Sequence, residues 1–168
     1  FLSKVMEKHV TQVLAAFVEA QSFLHPHQSG FRKGHSTEMA MLSVLDDLRM
    51  EADNNRSSAL ILLDLSAAFD TVDLSILIAR LASCGLSGSA LLWLHSFITE
   101  HSQAVCRGVH RSPLAVLGCG VPQGSALLPL LFNIYLQPLI TTIANMDCRV
   151  YHYVDNTQLL LRLNNSTA

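Results

Sequence analysis

The sequence is poor in charge, and no sign dominates. Charged residues are 14% of the 168, eleven Lys and Arg against thirteen Asp and Glu, for a net charge of −2. That balance excludes a chain-wide basic surface of the kind that grips nucleic acid by charge alone. It also argues against disorder, because 50% of the residues are hydrophobic. The four cysteines, Cys84, Cys106, Cys119 and Cys148, include no C-x-x-C pair. They are expected to be buried free thiols in a reducing compartment. No uninterrupted apolar run is long enough for a membrane span, since Pro129, Asn133, Gln137 and Pro138 break the longest stretch, 126–140. The opening apolar stretch carries Lys4, Glu7 and Lys8, which disfavours a signal peptide. These features together predict a soluble intracellular protein, in cytoplasm or nucleus, with no membrane contact. Eight histidines show no H-E-x-x-H spacing, so a zinc site is not expected. Repeats and low-complexity segments are absent, and the length suits one domain or the core of something larger.

What is present is alternation of element types. Residues 3–20 have helical spacing, with Val5, Met6, Val10, Val13, Leu14 and Phe17 on one side. "HPHQSGFRKGHS" (25–36) breaks the pattern and concentrates Arg32, Lys33 and histidines in a basic loop. Ser36 or Thr37 can cap a following helix whose apolar face is Met41, Leu42, Leu45 and Leu48. "ALILLDL" (59–65) is a short apolar run ending in an acid, expected to be a strand buried on both faces. Leu74, Leu77, Ile78 and Leu81 form a helix stripe that Gly85 can end, and Leu92, Trp93, Leu94 and Phe97 belong to another helix. A β-leaning stretch, 103–117, precedes the glycine-rich loop and apolar helix of "GCGVPQGSALLPLLFNIYL" (118–136). Finally "CRVYHYVDNTQLLLRL" (148–163) reads as two strands meeting at Asp155-Asn156. Strands separated by helices yet ending in a hairpin favour α+β.

The chemistry concentrates at strand ends. If the strands ending in Asp64 and at Asp155 are neighbours, two hard oxygen ligands converge, which suits Mg²⁺ with open positions for water and phosphate. The alternative leaves Asp64 capping a helix and Asp155 in a turn. Asp70 and Asp73 fit capping or turn roles better than ligation. Gly120 and Gly124 allow tight turns around Gln123, and N–H groups at the next helix start can meet an anion. Arg32 and Lys33, with Arg107 and Arg111, offer phosphate contacts or simply solvated surface.

Five collinear stretches resemble the reverse transcriptase of non-LTR (LINE-type) retrotransposons: "QSGFRKGHST" (28–37), "LLDLSAAFDTVD" (62–73), "WLHSFITEHSQ" (93–103), "GCGVPQGSALLPLLFNIYLQPL" (118–139) and "YHYVDNTQLLL" (151–161). The resemblance implies the fingers and palm of a polymerase right hand, with a ferredoxin-like palm sheet. Fingers-side helices and the basic loop would occupy about 1–58, and the palm with interleaved fingers elements about 59–168. It implies an RNA-directed DNA polymerase acting on RNA template, DNA primer and deoxynucleoside triphosphates. Asp64, Asp155 and the Leu65 carbonyl would hold two Mg²⁺ ions, for which Mn²⁺ can substitute. Ser66 and Ala67 would offer N–H groups to the triphosphate, and Phe69 would lie under the incoming sugar and exclude a 2′-hydroxyl. Gln123 would contact nucleotide or template, and Arg32 with Lys33 the triphosphate or template backbone. The sequence departs from the family at Asn156, in place of the second acid of Tyr-x-Asp-Asp. It departs again at Leu128 for a glycine, Leu74 for a histidine and His101 for an arginine. Later palm motifs, thumb and endonuclease are also missing, so the copy is expected to be truncated and impaired, a non-catalytic relic or a co-opted nucleic-acid-binding module being the alternatives. An unfinished palm would leave sheet edge and apolar surface uncovered.

Overall fold

The computed structural model describes residues 2–99, 101–121, 124–146 and 148–163. The chain forms α1 (Leu2–Ala20), α2 (Thr37–Asp53), β1 (Ser57–Asp64), α3 (Leu74–Ser83) and α4 (Gly88–Thr99). Four two-residue strands follow: β2 (Ser102–Gln103), β3 (Cys106–Arg107), β4 (His110–Arg111) and β5 (Ala115–Val116). The chain then makes α5 (Leu128–Ala144), β6 (Cys148–Tyr153) and β7 (Asn156–Leu163). The architecture is α+β, as expected.

The main sheet has the order β1-β7-β6, antiparallel throughout. The strand–helix–strand–strand succession follows the opening of the ferredoxin-like β-α-β-β-α-β pattern. The region 103–117 is a nested pair of ladders, β2 with β5 outside β3 with β4.

The principal core lies among the helices. Leu14 and Val18 of α1 meet Leu77 and Leu81 of α3, Leu94 and Ile98 of α4, and Leu131 and Ile134 of α5. The stripe of α3 is as its spacing predicts, and Asp73 caps it by accepting from the Ser75 and Ile76 N–H groups, at 2.9 and 3.1 Å. Those bonds and the Ser75 hydroxyl hold the Asp73 carboxyl below its ordinary range. Ser36 caps α2 through Met39 N–H.

Four expectations fail. In α1 the buried residues are Glu7, Leu14 and Val18, while Val5, Met6 and Val13 face solvent. An acid on the buried stripe hid the true face. In α2 the residues Met41, Leu42 and Leu45 are exposed. The helix meets the sheet through Val44 and Leu48 against Tyr151 and Leu160, and through two acids. Asp47 pairs with Arg149 and accepts from the Tyr151 hydroxyl, and buried Glu51 pairs with Arg162 at 2.8 Å. Third, β1 is an edge strand rather than a doubly covered one, with Leu62 70% exposed and Leu60, Ile61 and Leu63 also open. The open edge leaves unpaired backbone groups beside exposed apolar side chains. Fourth, only Cys84 is buried, its thiol pushed up to about 11 by burial, while Cys106 and Cys119 are exposed.

Candidate metal centre and nucleotide cleft

Tyr153 and Asn156 form the last pair of the β6–β7 hairpin, leaving Val154 and Asp155 as its two-residue turn. Val154 sits at φ 61°, the first central position, where such a turn ordinarily takes glycine. A β-branched residue there is strained and needs outside support. The support is Gly30. A Cβ on Gly30 would lie 2.7 Å from both Val154 Cγ2 and Val154 N. The basic loop therefore presses its backbone onto the turn, and only glycine permits it.

β7 carries the turn to β1. Asp64 is in register with Asn156, and Leu65 N–H donates to the Asp155 carbonyl at 3.3 Å. Asp64 and Asp155 thus occupy adjoining backbone positions at one end of the sheet. Asp64 is exposed and Asp155 half-buried. Asp64 stands in the open because the apolar run before it, expected to be covered on both faces, forms an edge strand. Asn156 is exposed, and its amide Nδ2 donates to Asp155 Oδ1 at 3.2 Å. Where a second acid would add charge, the amide takes up a lone pair of the first. Among the described residues no three His, Cys, Asp or Glu side chains gather as a metal cluster. The carboxylates available at this end of the sheet are those of Asp64 and Asp155, with Leu65 next in the chain. Hard oxygens in that number fit a divalent cation that keeps water or phosphate in its remaining positions.

The segment after Asp64 turns sharply. Ala67 sits at φ 53°, and its carbonyl accepts from Asp70 and Thr71 N–H. Ser66 and Ala67 are exposed, and their own N–H groups meet no acceptor among the described residues. Phe69 is half-buried, its ring 4.8 Å from that of Phe132. Its carbonyl accepts from Val121 N–H and that of Val72 from Gly120 N–H, which fastens the glycine-rich loop alongside. Gly120 is at φ 80°, and a Cβ there would sit 3.0 Å from the Asp70 carbonyl oxygen. This close approach also requires glycine. Gln123 lies outside the described residues.

Phe69 lines an open cleft of about 470 Å³, inside the roughly 300–1,000 Å³ range of small-molecule sites. Its other walls include Phe31, Lys4, Lys8, Ala126 and Leu128. The start of α5 borders this cleft, and the anion there comes from the protein. Glu7 Oε2 accepts from Ala126 N–H at 3.2 Å and pairs with Lys4, whose Nζ also donates to the Gly124 carbonyl at 3.0 Å. Burial alone would raise the Glu7 carboxyl. The bonds from Lys4, Ala126 and Ser125 and the Lys4 charge outweigh it and hold the group below its ordinary range. Glu7 thus occupies the Ala126 N–H, two residues ahead of α5, while the helix start itself has no side-chain cap.

The 25–36 loop joins the sheet. Gln28 bridges His152 in parallel, with Ser29 N–H donating to the His152 carbonyl and His152 N–H to that of His27. Buried Asn133 of α5 donates to the Gly30 carbonyl at 2.7 Å, and Gln28 Nε2 donates to the Asn133 carbonyl at 3.1 Å. Arg32 is consumed inside the protein. Its Nε and Nη2 meet the two Glu19 oxygens at 2.6 and 2.7 Å, and Nη1 donates to the carbonyls of His25 and Gln28. That places Arg32 as the loop's clamp. Lys33 is exposed. Arg107 and Arg111 are exposed on the small ladders.

Sequence reasoning missed Glu7, Asn133 and Gln28. Their partners lie more than a hundred residues away, and only a buried-stripe acid at position 7 hinted at any of it.

A family model described as reverse transcriptase (RNA-dependent DNA polymerase) matches residues 1–167. Among similar proteins, the probable RNA-directed DNA polymerase from transposon BS of Drosophila melanogaster is 28% identical over 95% of this chain and 17% of its own length. The RNA-directed DNA polymerase from mobile element jockey of the same organism is 27% identical over 96% of this chain and 18% of its own. The chain thus spans less than a fifth of these relatives. Telomerase of Candida tropicalis, solved with the TWJ fragment of telomeric RNA, superposes with TM-score 0.71 at 15% identity, over 99% of this chain and 29% of that one.

Proposed function

The chain belongs to the reverse transcriptase (RNA-dependent DNA polymerase) family, and from that premise we propose that it is the nucleotidyl-transfer core of an RNA-directed DNA polymerase of the non-LTR retrotransposon kind. One observation carries the proposal. The register Asp64↔Asn156, with the Leu65-to-Asp155 bond, brings the two acids to one end of one sheet beside an aromatic-walled cleft. Asp64, Asp155 and the Leu65 carbonyl would hold divalent cations, two Mg²⁺ in the full site with Mn²⁺ as a substitute. When bound, such ions supply a lowered pKa at a primer 3′-hydroxyl and charge neutralisation at departing pyrophosphate.

The chain's own residues do the rest. Ser66 and Ala67, both exposed, would offer N–H groups to triphosphate oxygens, the kind of fixed donor that stabilises developing charge. Phe69, packed against Phe132, would supply an aromatic wall under the incoming sugar that excludes a 2′-hydroxyl. Lys33 is the loop cation open to phosphate, while Arg32 with Glu19 holds the loop that carries it. Gln123 completes the proposed nucleotide contacts. RNA template, DNA primer and deoxynucleoside triphosphates are the proposed partners.

Asn156 marks this copy as impaired. It removes one negative charge from the centre and donates to the remaining ligand. Losing such a charge costs several kcal/mol of transition-state stabilisation, or roughly two to four orders of magnitude in rate. A relic without catalysis is the second reading, favoured by this same contact. Primer extension on an RNA template with Mn²⁺ separates the two, using the unaltered chain, Asn156→Asp and Asp64→Ala. Extension by Asn156→Asp that Asp64→Ala abolishes supports the polymerase reading. No incorporation by either the unaltered chain or Asn156→Asp, with the folded state verified, refutes it for this chain.

A further inference from the structure

The buried residues of α5 are apolar except Asn133, which is fully buried. A buried amide is unfavourable unless its hydrogen bonds are made. Asn133 Oδ1 has no partner among the described residues, so the side chain is only half satisfied. An apolar side chain of similar size would avoid that penalty. What the amide adds is one bond, from Nδ2 to the Gly30 carbonyl at 2.7 Å. Gln28 Nε2, also buried, donates to the Asn133 carbonyl at 3.1 Å and ties the loop to the same residue of α5. Gly30 is where this loop meets the β6–β7 turn. Ser29 still bonds to β6 through the His152 carbonyl. At Gly30 a Cβ would lie 2.7 Å from Val154 N and Cγ2 and 3.4 Å from the Tyr153 carbonyl carbon.

Val154 holds a positive φ that a β-branched residue resists, and its side chain is buried. The turn keeps this form only while its surroundings impose it. The imposing backbone is Gly30, and the side-chain bond that fixes Gly30 comes from α5. We propose that Asn133 is a positioning residue. Through the Gly30 carbonyl it holds the strained Val154-Asp155 turn in the form that sets Asp155 beside Asp64. The inference rests on the reading of Asp155 as a metal ligand. It adds that the form of the turn is imposed from α5 rather than by the turn's own sequence. Glycine at 154 would take the positive φ unaided, so valine there makes the metal turn depend on its clamp.

The test compares the parent with Asn133→Leu, Val154→Gly and the double variant. Calorimetry reads Mn²⁺ affinity, and two-dimensional NMR without metal reads the amide resonances of Asp155 and Asn156. Freed from Gly30, the turn relaxes, and the ion binds only the fraction still in the strained form. Asn133→Leu is therefore expected to move both resonances and to weaken Mn²⁺ binding about 5- to 150-fold, the range set by strain in one such residue. In the Val154→Gly background, Asn133→Leu is expected to change neither affinity nor resonances. Leu77→Ala, a core truncation in α3, is expected to lower the urea midpoint while leaving Mn²⁺ affinity unchanged, which separates positioning from loss of stability. If Asn133→Leu does not fold, Asn133→Ser, too short to reach Gly30, carries the same expectations. Mn²⁺ affinity retained without the Asn133 amide, or lost equally in the Val154→Gly background, overturns the inference and leaves the metal reading standing. A parent whose Mn²⁺ binding is unaffected by Asp64→Ala brings down the metal reading, and the inference with it.

Discussion

Replacing Asn156 by Asp should lower stability without a divalent cation and largely recover it when the ion is present. Without metal the variant loses the amide bond to Asp155 Oδ1 and sets two carboxylates side by side. The lost bond and the repulsion at an exposed site are each about 1 kcal/mol, so the apo variant should be less stable by about 1–2 kcal/mol. With metal the added charge meets a divalent ion. Two unit charges at about 4 Å in water interact by about 1 kcal/mol, so a doubly charged ion gains about 2 kcal/mol, or about 30-fold in affinity. At a Mn²⁺ concentration equal to the parent's Kd, the parent gains about 0.4 kcal/mol and the variant about 2 kcal/mol. For a domain of this size the difference is a Tm rise of about 3–6 °C on adding the ion, beyond the parent's own rise. Calorimetric titration with Mn²⁺ and a thermal melt in the same buffer read both quantities. Equal Mn²⁺ affinity in parent and variant would refute the idea that position 156 faces the ion. A gain that persists in Asp64→Ala would show that Asp64 and the 155–156 turn do not share one.

Other perturbations probe the scaffold. Gly30→Ala places a Cβ 2.7 Å from Val154 backbone and side chain. It should cost about 1–3 kcal/mol in urea unfolding and also weaken Mn²⁺ binding, since the metal turn must shift. His152 is buried, and desolvation, only partly countered by the Asp155 charge, lowers its pKa to about 4. It is neutral when folded and takes up a proton on unfolding below pH 6.5. Its contribution is thus present above that value and is lost as pH falls toward 4. About 2 kcal/mol should disappear between about pH 7 and 5, and His152→Gln should flatten that slope in urea midpoints. Leu62→Lys on the open edge strand should leave stability within about 0.5 kcal/mol and raise the concentration at which light scattering reports association. An unchanged association threshold would show that β1 is not the sticky edge.

Some of this protein was legible in its order of residues because local chemistry decided it. Asp73 caps α3, the α3 stripe faces the core, and the 148–163 run makes a hairpin turning at Asp155, each from preferences within a few positions. The collinear motifs likewise identified the family, and Asn156 stood out as a neutral residue where an acid is expected. What the tertiary structure decided was everything that depends on distant partners. The apolar run of β1 reads as doubly covered, but burial needs neighbours, and it has one strand beside it. In α2 the outward Met41 and Leu42 mimic a core face, whereas Asp47 and Glu51 turn inward because arginines on β6 and β7 await them. Arg32 looks like a phosphate contact until Glu19 and two carbonyls take its donors. Glu7 looks like a solvated acid until the Ala126 N–H, just ahead of α5, donates to it. Charge and hydrophobicity are properties of a residue, but exposure is a property of what folds against it.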